Sequence, residues 1–252
     1  MANDARKWLP LALIAGTIAV TSFAVRDLPS TVTLDLRGLL PFEVEPTADT
    51  APRWVAIVLM PLIAALIWLG LELGRSRVGL SLARRLFSDV PESLADPATI
   101  DRFRSTYDTI SLSIVVLILG VHAGMVAAML GHEALAPRIV NVVIGISLIV
   151  AGNVMPRLRP NLVAGVRTRG TLTDPDLWRV THRLLGVAFV AAGTLTVLVG
   201  LIAPEFGLAT AVVSLLIACL VAAIGGVRAR REVVVVAAFL VIALWSGTGT
   251  TC

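Results

Sequence analysis

Hydrophobic positions along this chain fall into seven stretches, at roughly 8–25, 54–73, 109–130, 139–155, 184–203, 207–227 and 233–249. Each of the first six holds roughly 17–22 residues, enough at about 1.5 Å per residue to cross about 30 Å of hydrocarbon as a helix. The seventh is weaker. Its strongly apolar part, Val233 to Trp245, rises only about 20 Å. It spans if Ser246 to Thr251 enter the membrane boundary, and otherwise forms a half-buried C-terminal helix. The pattern predicts an all-α polytopic membrane bundle of six to seven transmembrane helices. It divides into a two-helix module with an external loop (1–75), a cytoplasmic loop (76–108), a four-helix core with a cytoplasmic linker at 156–183 (109–227), and an extra C-terminal helix (228–252).

Composition agrees. The chain is 57% hydrophobic and 15% charged, with mean hydropathy +0.89, against about 25% charged in soluble domains. The basic residues are 20 Arg and one Lys. Lacking runs interleaved with aromatics, they do not describe a nucleic-acid groove, and no direct nucleic-acid contact is expected. Their distribution sets topology. With the N-terminus inside, 17 of them fall on the cytoplasmic side and four (Arg26, Arg37, Arg53, Arg138) on the other. Positive residues stay inside because they translocate poorly. The expected topology therefore has a cytoplasmic N-terminus, with the 156–183 linker also inside. Trp8, Trp54 and Trp245 at segment ends fit the headgroup level. The first segment also reads as a signal peptide with Ser22-Phe23-Ala24 before a cleavage point. Cys219 and Cys252 belong to different segments and are not expected to pair.

Between the spans, 26–53 reads as an ordered but irregular external lobe rich in proline. Within the loop 74–108, Val78 to Val90 predicts an interfacial helix. Its Arg84 and Arg85 would point toward headgroups, and Leu80, Leu82, Leu86 and Phe87 toward the acyl boundary. A solvated connector is the alternative. The 152–186 stretch is denser in polar signals than an ordinary connector. Met155-Pro156 stops the fourth span, and Asn161 and Gly165 suit a turn. Thr173 or Asp174 caps a new helix with Pro175 in its first position, and that helix can continue into the fifth span. The stretch is either a docking platform or a rigid connector with an interfacial Trp178.

His122 is the one ionisable group deep within a span. It is either a hydrogen-bonded structural residue or a ligand- or proton-sensing one. Ser147 lies at a similar depth as its candidate partner. Gly120, Ala123 and Gly124 predict close helix packing. Glu72 is expected to snorkel from the second span, which Pro61 can kink. His132-Glu133 lacks the second histidine of a zinc protease. No nucleophile, metal or cofactor constellation is readable, so neither an enzyme nor a cofactor is expected. A small-molecule transporter or channel is the alternative function, although the paired interrupted helices of coupled carriers are missing.

The residues Gly152, Asn153, Met155, Pro156, Asn161, Gly165, Arg167, Thr168, Thr171, Leu172, Trp178, Thr181, His182, Arg183 and Gly186 resemble the signature of the SdpI family of bacterial membrane proteins. Arg169-Gly170 stands where that family usually has Pro-Trp. Leu28, Pro29 and Gly38 are similar to its N-terminal module, with Asp35 in place of a usual histidine. The seventh segment lies outside the resemblance. The resemblance implies an immunity and signal-transduction protein of the bacterial plasma membrane: tolerance to a membrane-active toxic peptide, and sequestration of a cytoplasmic transcriptional repressor. The partners it implies, besides the lipid bilayer, are that peptide and that repressor. Asn153, Asn161, Arg167, Thr168, Trp178, His182 and Arg183 are its candidate partner-binding residues.

Overall fold

A computed structural model describes residues 2–33, 50–87, 91–96, 98, 101–102 and 104–229. The seventh apolar segment, Trp245, Cys252, Asp35 and Gly38 lie outside the described residues. The helices are α1 (Ala2–Ala24), α2 (Arg53–Gly74), α3 (Arg77–Leu86), α4 (Arg104–Met129), α5 (Ala136–Val154), α6 (Arg169–Thr173), α7 (Pro175–Ile202) and α8 (Pro204–Ala229). Five of them, α2, α4, α5, α7 and α8, are long and apolar enough to cross a membrane, and α1 adds a shorter apolar stretch, Trp8–Ala24. The chain is a multi-pass membrane protein with an all-α bundle.

The predicted fifth span is longer than its apolar stretch. The capped helix at Pro175 continues unbroken to Ile202, so the linker's last part and the span are one rod. The 26–53 loop, expected to be irregular, instead begins and ends in a short antiparallel ribbon. There β1 (Thr31–Thr33) pairs with β2 (Thr50–Pro52), Val32 opposite Ala51. The β-branched Thr-Val-Thr run favours the pleat. Arg53, counted above only as an outer charge, closes this end. Its guanidinium donates to the carbonyls of Val25, Arg26 and Leu28 in the turn that follows α1.

Packing is tightest between α5 and α7, and between α7 and α8. Glycines explain the first pair. On antiparallel α5 and α7, Gly145 faces Gly193 and Gly152 faces Gly186. A Cβ on Gly193 would lie 2.4 Å from the Gly145 carbonyl oxygen, and one on Gly152 would lie 2.6 Å from that of Gly186. The backbones therefore touch directly, as small residues allow where lipid supplies no hydrophobic drive, with Cα–H···O contacts adding a little. Further along, the Asn141 side chain fills the space over Gly200 and Gly207 and donates to the Pro204 carbonyl at 2.8 Å. It thus ties α5 to the α7–α8 turn.

The α1–α2 pair packs on α4 through Ile14, Ala64, Val115 and Leu119. At the other end of α2, Arg75 bonds Glu72 and reaches Asp108 on α4 at 2.9 Å. Burial works against its charge, but the bonds and charges of Glu72 and Asp108 outweigh that and hold the guanidinium above its ordinary pKa. Glu72 is therefore an ion-pair partner and not a lone snorkelling group. Beside it, Tyr107 donates from its hydroxyl to the Leu71 carbonyl and lies under Arg75.

Candidate functional site

The 155–183 stretch folds as a small platform on the end of the bundle where α2 finishes and α4 begins. Its order comes from side chains that replace regular secondary structure. After Val154 a short 3-10 turn, Met155–Arg157, ends α5. Asn161 then organises the next turn. Its Nδ2 donates to the carbonyls of Arg159 (2.7 Å) and Ala164 (3.1 Å), and its Oδ1 accepts from the N–H groups of Val163 and Ala164, both at 2.8 Å. A buried asparagine with both ends of its amide engaged is the usual way to satisfy a loop's backbone away from water.

Thr168 caps α6. It accepts from the Thr171 N–H at 3.2 Å, and Thr171 Oγ1 accepts from the Thr168 N–H at 3.0 Å. Thr171 Oγ1 also donates to the Val166 carbonyl at 2.7 Å. Asp174 caps α7, accepting from the N–H groups of Asp176 (3.0 Å) and Leu177 (3.1 Å), with Pro175 in the first position as the sequence predicts. Of the two caps considered, Asp174 is the one used.

Trp178 and His182, one turn apart on α7, form the centre. They are 2% and 1% exposed, and their rings stack at 3.9 Å with 18° between planes. The indole Nε1 donates to the Leu158 carbonyl at 2.8 Å. The imidazole Nε2 accepts from the Val166 N–H at 3.0 Å, which leaves Nδ1 to carry the proton and donate to the Trp178 carbonyl at 2.9 Å. That pattern is one tautomer of the neutral ring. Gly165 makes the approach feasible. Its φ is +105°, and a Cβ there would lie 2.3 Å from His182 Nε2. Around this pair Leu80, Tyr107, Leu158, Leu162 and Leu172 close an apolar cluster, joining α3, α4 and the platform.

Burial separates the seven residues singled out from the sequence. Asn161, Trp178 and His182 are interior, and their polar atoms are engaged within the chain. Asn153, Arg167, Thr168 and Arg183 are exposed. Asn153 donates to the Ile149 carbonyl of its own helix at 2.9 Å, and Arg167 donates to that of Leu162. The interior three lie within the platform, Arg167, Thr168 and Arg183 lie on its exposed side, and Asn153 lies just before it on α5. Leu158 and Tyr107, missed in the sequence, complete the interior. A lone tyrosine opening an apolar span was the available signal.

His122 lies elsewhere, between α1 and α4. Its Nε2 bonds the Thr21 hydroxyl at 2.9 Å, and Nδ1 has no partner among the described residues. Ser147 is not its partner, contrary to the depth argument. A hydroxyl on the α1 side of α4 takes that role, whereas Ser147 lines a groove of about 420 Å³ with Ile114, Leu117, Ile144 and Leu215, between α4, α5 and α8. Gly120 and Gly124 do pack closely, against Val143 and Val140 on α5. Among the described residues no group of three or more His, Cys, Asp or Glu is arranged to hold a metal.

The match to a known family covers the platform and the two spans after it. Residues 157–229 match the SdpI/YfhL protein family. The chain is 28% identical over 92 residues to the Immunity protein SdpI of Bacillus subtilis (strain 168), covering 36% of this chain and 44% of that protein. It thus spans less than half the length of this relative. No solved structure matches. The family match begins after the fourth span and takes in the platform, α7 and α8, so Gly152, Asn153, Met155 and Pro156 fall just before it. Asn161, Gly165, Trp178 and His182 all fall within it, and through this segment the chain is similar to the SdpI/YfhL family.

Proposed function

We propose that this protein is a bacterial plasma-membrane immunity and signal-transduction protein. It gives tolerance to a membrane-active toxic peptide and holds a cytoplasmic repressor protein at its platform. In this reading the N-terminus and the platform are cytoplasmic, in line with the 17-to-four arginine and lysine asymmetry. The observation that carries it is the platform itself. A loop needs no stacked, doubly hydrogen-bonded Trp178–His182 pair merely to join two helices, and the elements that build it lie in the family-matched segment. The name of the Bacillus subtilis relative supplies the immunity role.

The interior and exposed residues then have different tasks. Asn161, Trp178 and His182 hold the shape, and Asn153, Arg167, Thr168 and Arg183 meet the partner. Peptide binding among the spans would reach the platform through α7, which is one continuous helix from the platform to the far side. Deletion of the gene, followed by challenge with a panel of membrane-active peptides, is expected to lower survival toward at least one of them, restored by the intact chain. Complementation with Arg167→Ala/Arg183→Ala at equal protein level is expected to lose repressor capture. Unchanged survival across the panel would sink the immunity reading, and unchanged capture the platform's part in it.

A further inference from the structure

Helix α3 has two apolar faces, and the platform uses one of them. Leu80 is 2% exposed and packs in the Trp178 cluster, with Ala83 and Phe87 against the same cluster. Val78, Leu82 and Leu86, four residues apart, form a second stripe and are 76%, 58% and 75% exposed. This reverses part of the sequence expectation, since Leu80 and Phe87 face the protein and Val78 joins the outward stripe. Helices α4, α5, α7 and α8 also expose leucines and valines, but those lie on spans. The α3 stripe lies beyond a span.

We propose that this outer stripe sits in the headgroup layer of an anionic bilayer and, through Leu80, holds the platform against the membrane surface. Three observations select lipid as the occupant. First, α3 starts where a span stops. Only Arg75 and Ser76 separate it from the end of α2 at Gly74, and Gly79 packs on that end, a Cβ there falling 2.7 Å from Gly74 Cα. Second, the exposed face of α2, with Leu66, Leu69 and Leu73 outward, runs to the same end. Third, the helix sequence RVGLSLARRL has no acidic residue. Exposed Arg77 and Arg85 lie on its polar side, Arg85 next to the stripe on the helical wheel. A helix with an apolar face flanked by arginines binds at the headgroup–acyl boundary, with the guanidinium groups on lipid phosphates. The proposal stands whichever partner the platform takes.

The test uses the full chain with Cys219→Ser and Cys252→Ser, carrying Leu82→Cys labelled with an environment-sensitive fluorophore. The protein is reconstituted in phosphatidylcholine vesicles with or without phosphatidylglycerol. Quenching is read with a headgroup-level nitroxide lipid and with aqueous iodide. The expected result is strong nitroxide quenching, weak iodide quenching, and a several-fold gain in the nitroxide-to-iodide ratio with phosphatidylglycerol. Arg77→Gln/Arg85→Gln is expected to abolish that gain while leaving the thermal melt unchanged. Dominant iodide quenching would mean a solvated face, and protection from both quenchers a face covered by protein, such as a second copy. Either result overturns the proposal, and an equal ratio in the two vesicle types overturns its anionic part.

Discussion

His182 and His122 are buried to the same degree, 1% exposed each, yet their surroundings differ. In the platform, His182 has both ring nitrogens engaged, one giving and one accepting, and a tryptophan stacked on its face. In the span, His122 has one nitrogen on the Thr21 hydroxyl and the other without a partner among the described residues. A saturated ring defines a shape, because any change of protonation breaks a bond it already makes. The half-engaged ring ties α1 to α4 through one hydroxyl. The platform's histidine thus has its whole hydrogen-bonding capacity taken up inside the chain.

His182→Ala tests this most severely. It strands the Val166 N–H and removes the stack, and is expected to cost about 3 kcal/mol. The readouts are a lower melting temperature in detergent and faster amide exchange across 158–172. Gly165→Ala comes next at about 2 kcal/mol, because it adds a Cβ to a left-handed residue and drives that Cβ onto the imidazole. Gly131→Ala is its control. That glycine has φ +85° but nothing among the described residues within 4 Å of the added Cβ, so only the backbone term applies, about 1 kcal/mol. Equal losses in the two variants would show that the His182 contact is not tight. Trp178→Phe keeps an aromatic stack and loses the bond to Leu158, for about 1–2 kcal/mol; red-shifted emission from the remaining tryptophans would be inconsistent with this local effect. Thr21→Val should have the smallest effect, about 0.6 kcal/mol as for interhelical bonds in membranes, detected as faster exchange confined to α1. A loss as large as that of His182→Ala would erase the distinction between the two histidines.

The sequence made much of the platform legible. Met155-Pro156 stops a helix, Asn161 and Gly165 turn the chain, and Asp174-Pro175 starts the next helix, and each rests on local backbone chemistry. Pairings across the chain were not legible. Depth along a helix made Ser147 the candidate for His122, yet depth says nothing about direction, and Thr21 lies on the correct side of α4. The same ambiguity misdirected Leu80 and Phe87. Both faces of α3 are apolar, so periodicity cannot say which one meets protein. Arg53 was counted as a topological charge, and its three carbonyl partners depend on how α1 ends beside α2. The β1–β2 ribbon, three residues a strand, is too short for alternation to stand out.

By itself, the order of apolar and polar residues determined where the described apolar helices lie, that α5 stops at Met155-Pro156 and that α7 starts at Asp174-Pro175. Those features come from hydrocarbon thickness and from hydrogen bonds between near neighbours. Only the tertiary structure decided that Gly145 and Gly152 meet Gly193 and Gly186, that Asn141 reaches the α7–α8 turn, and that Leu158, Tyr107 and Leu80 enclose Trp178 and His182. In a membrane chain nearly every helix face is apolar. Hydrophobicity therefore does not orient one helix toward another, and that task falls to close backbone contact and a few buried hydrogen bonds.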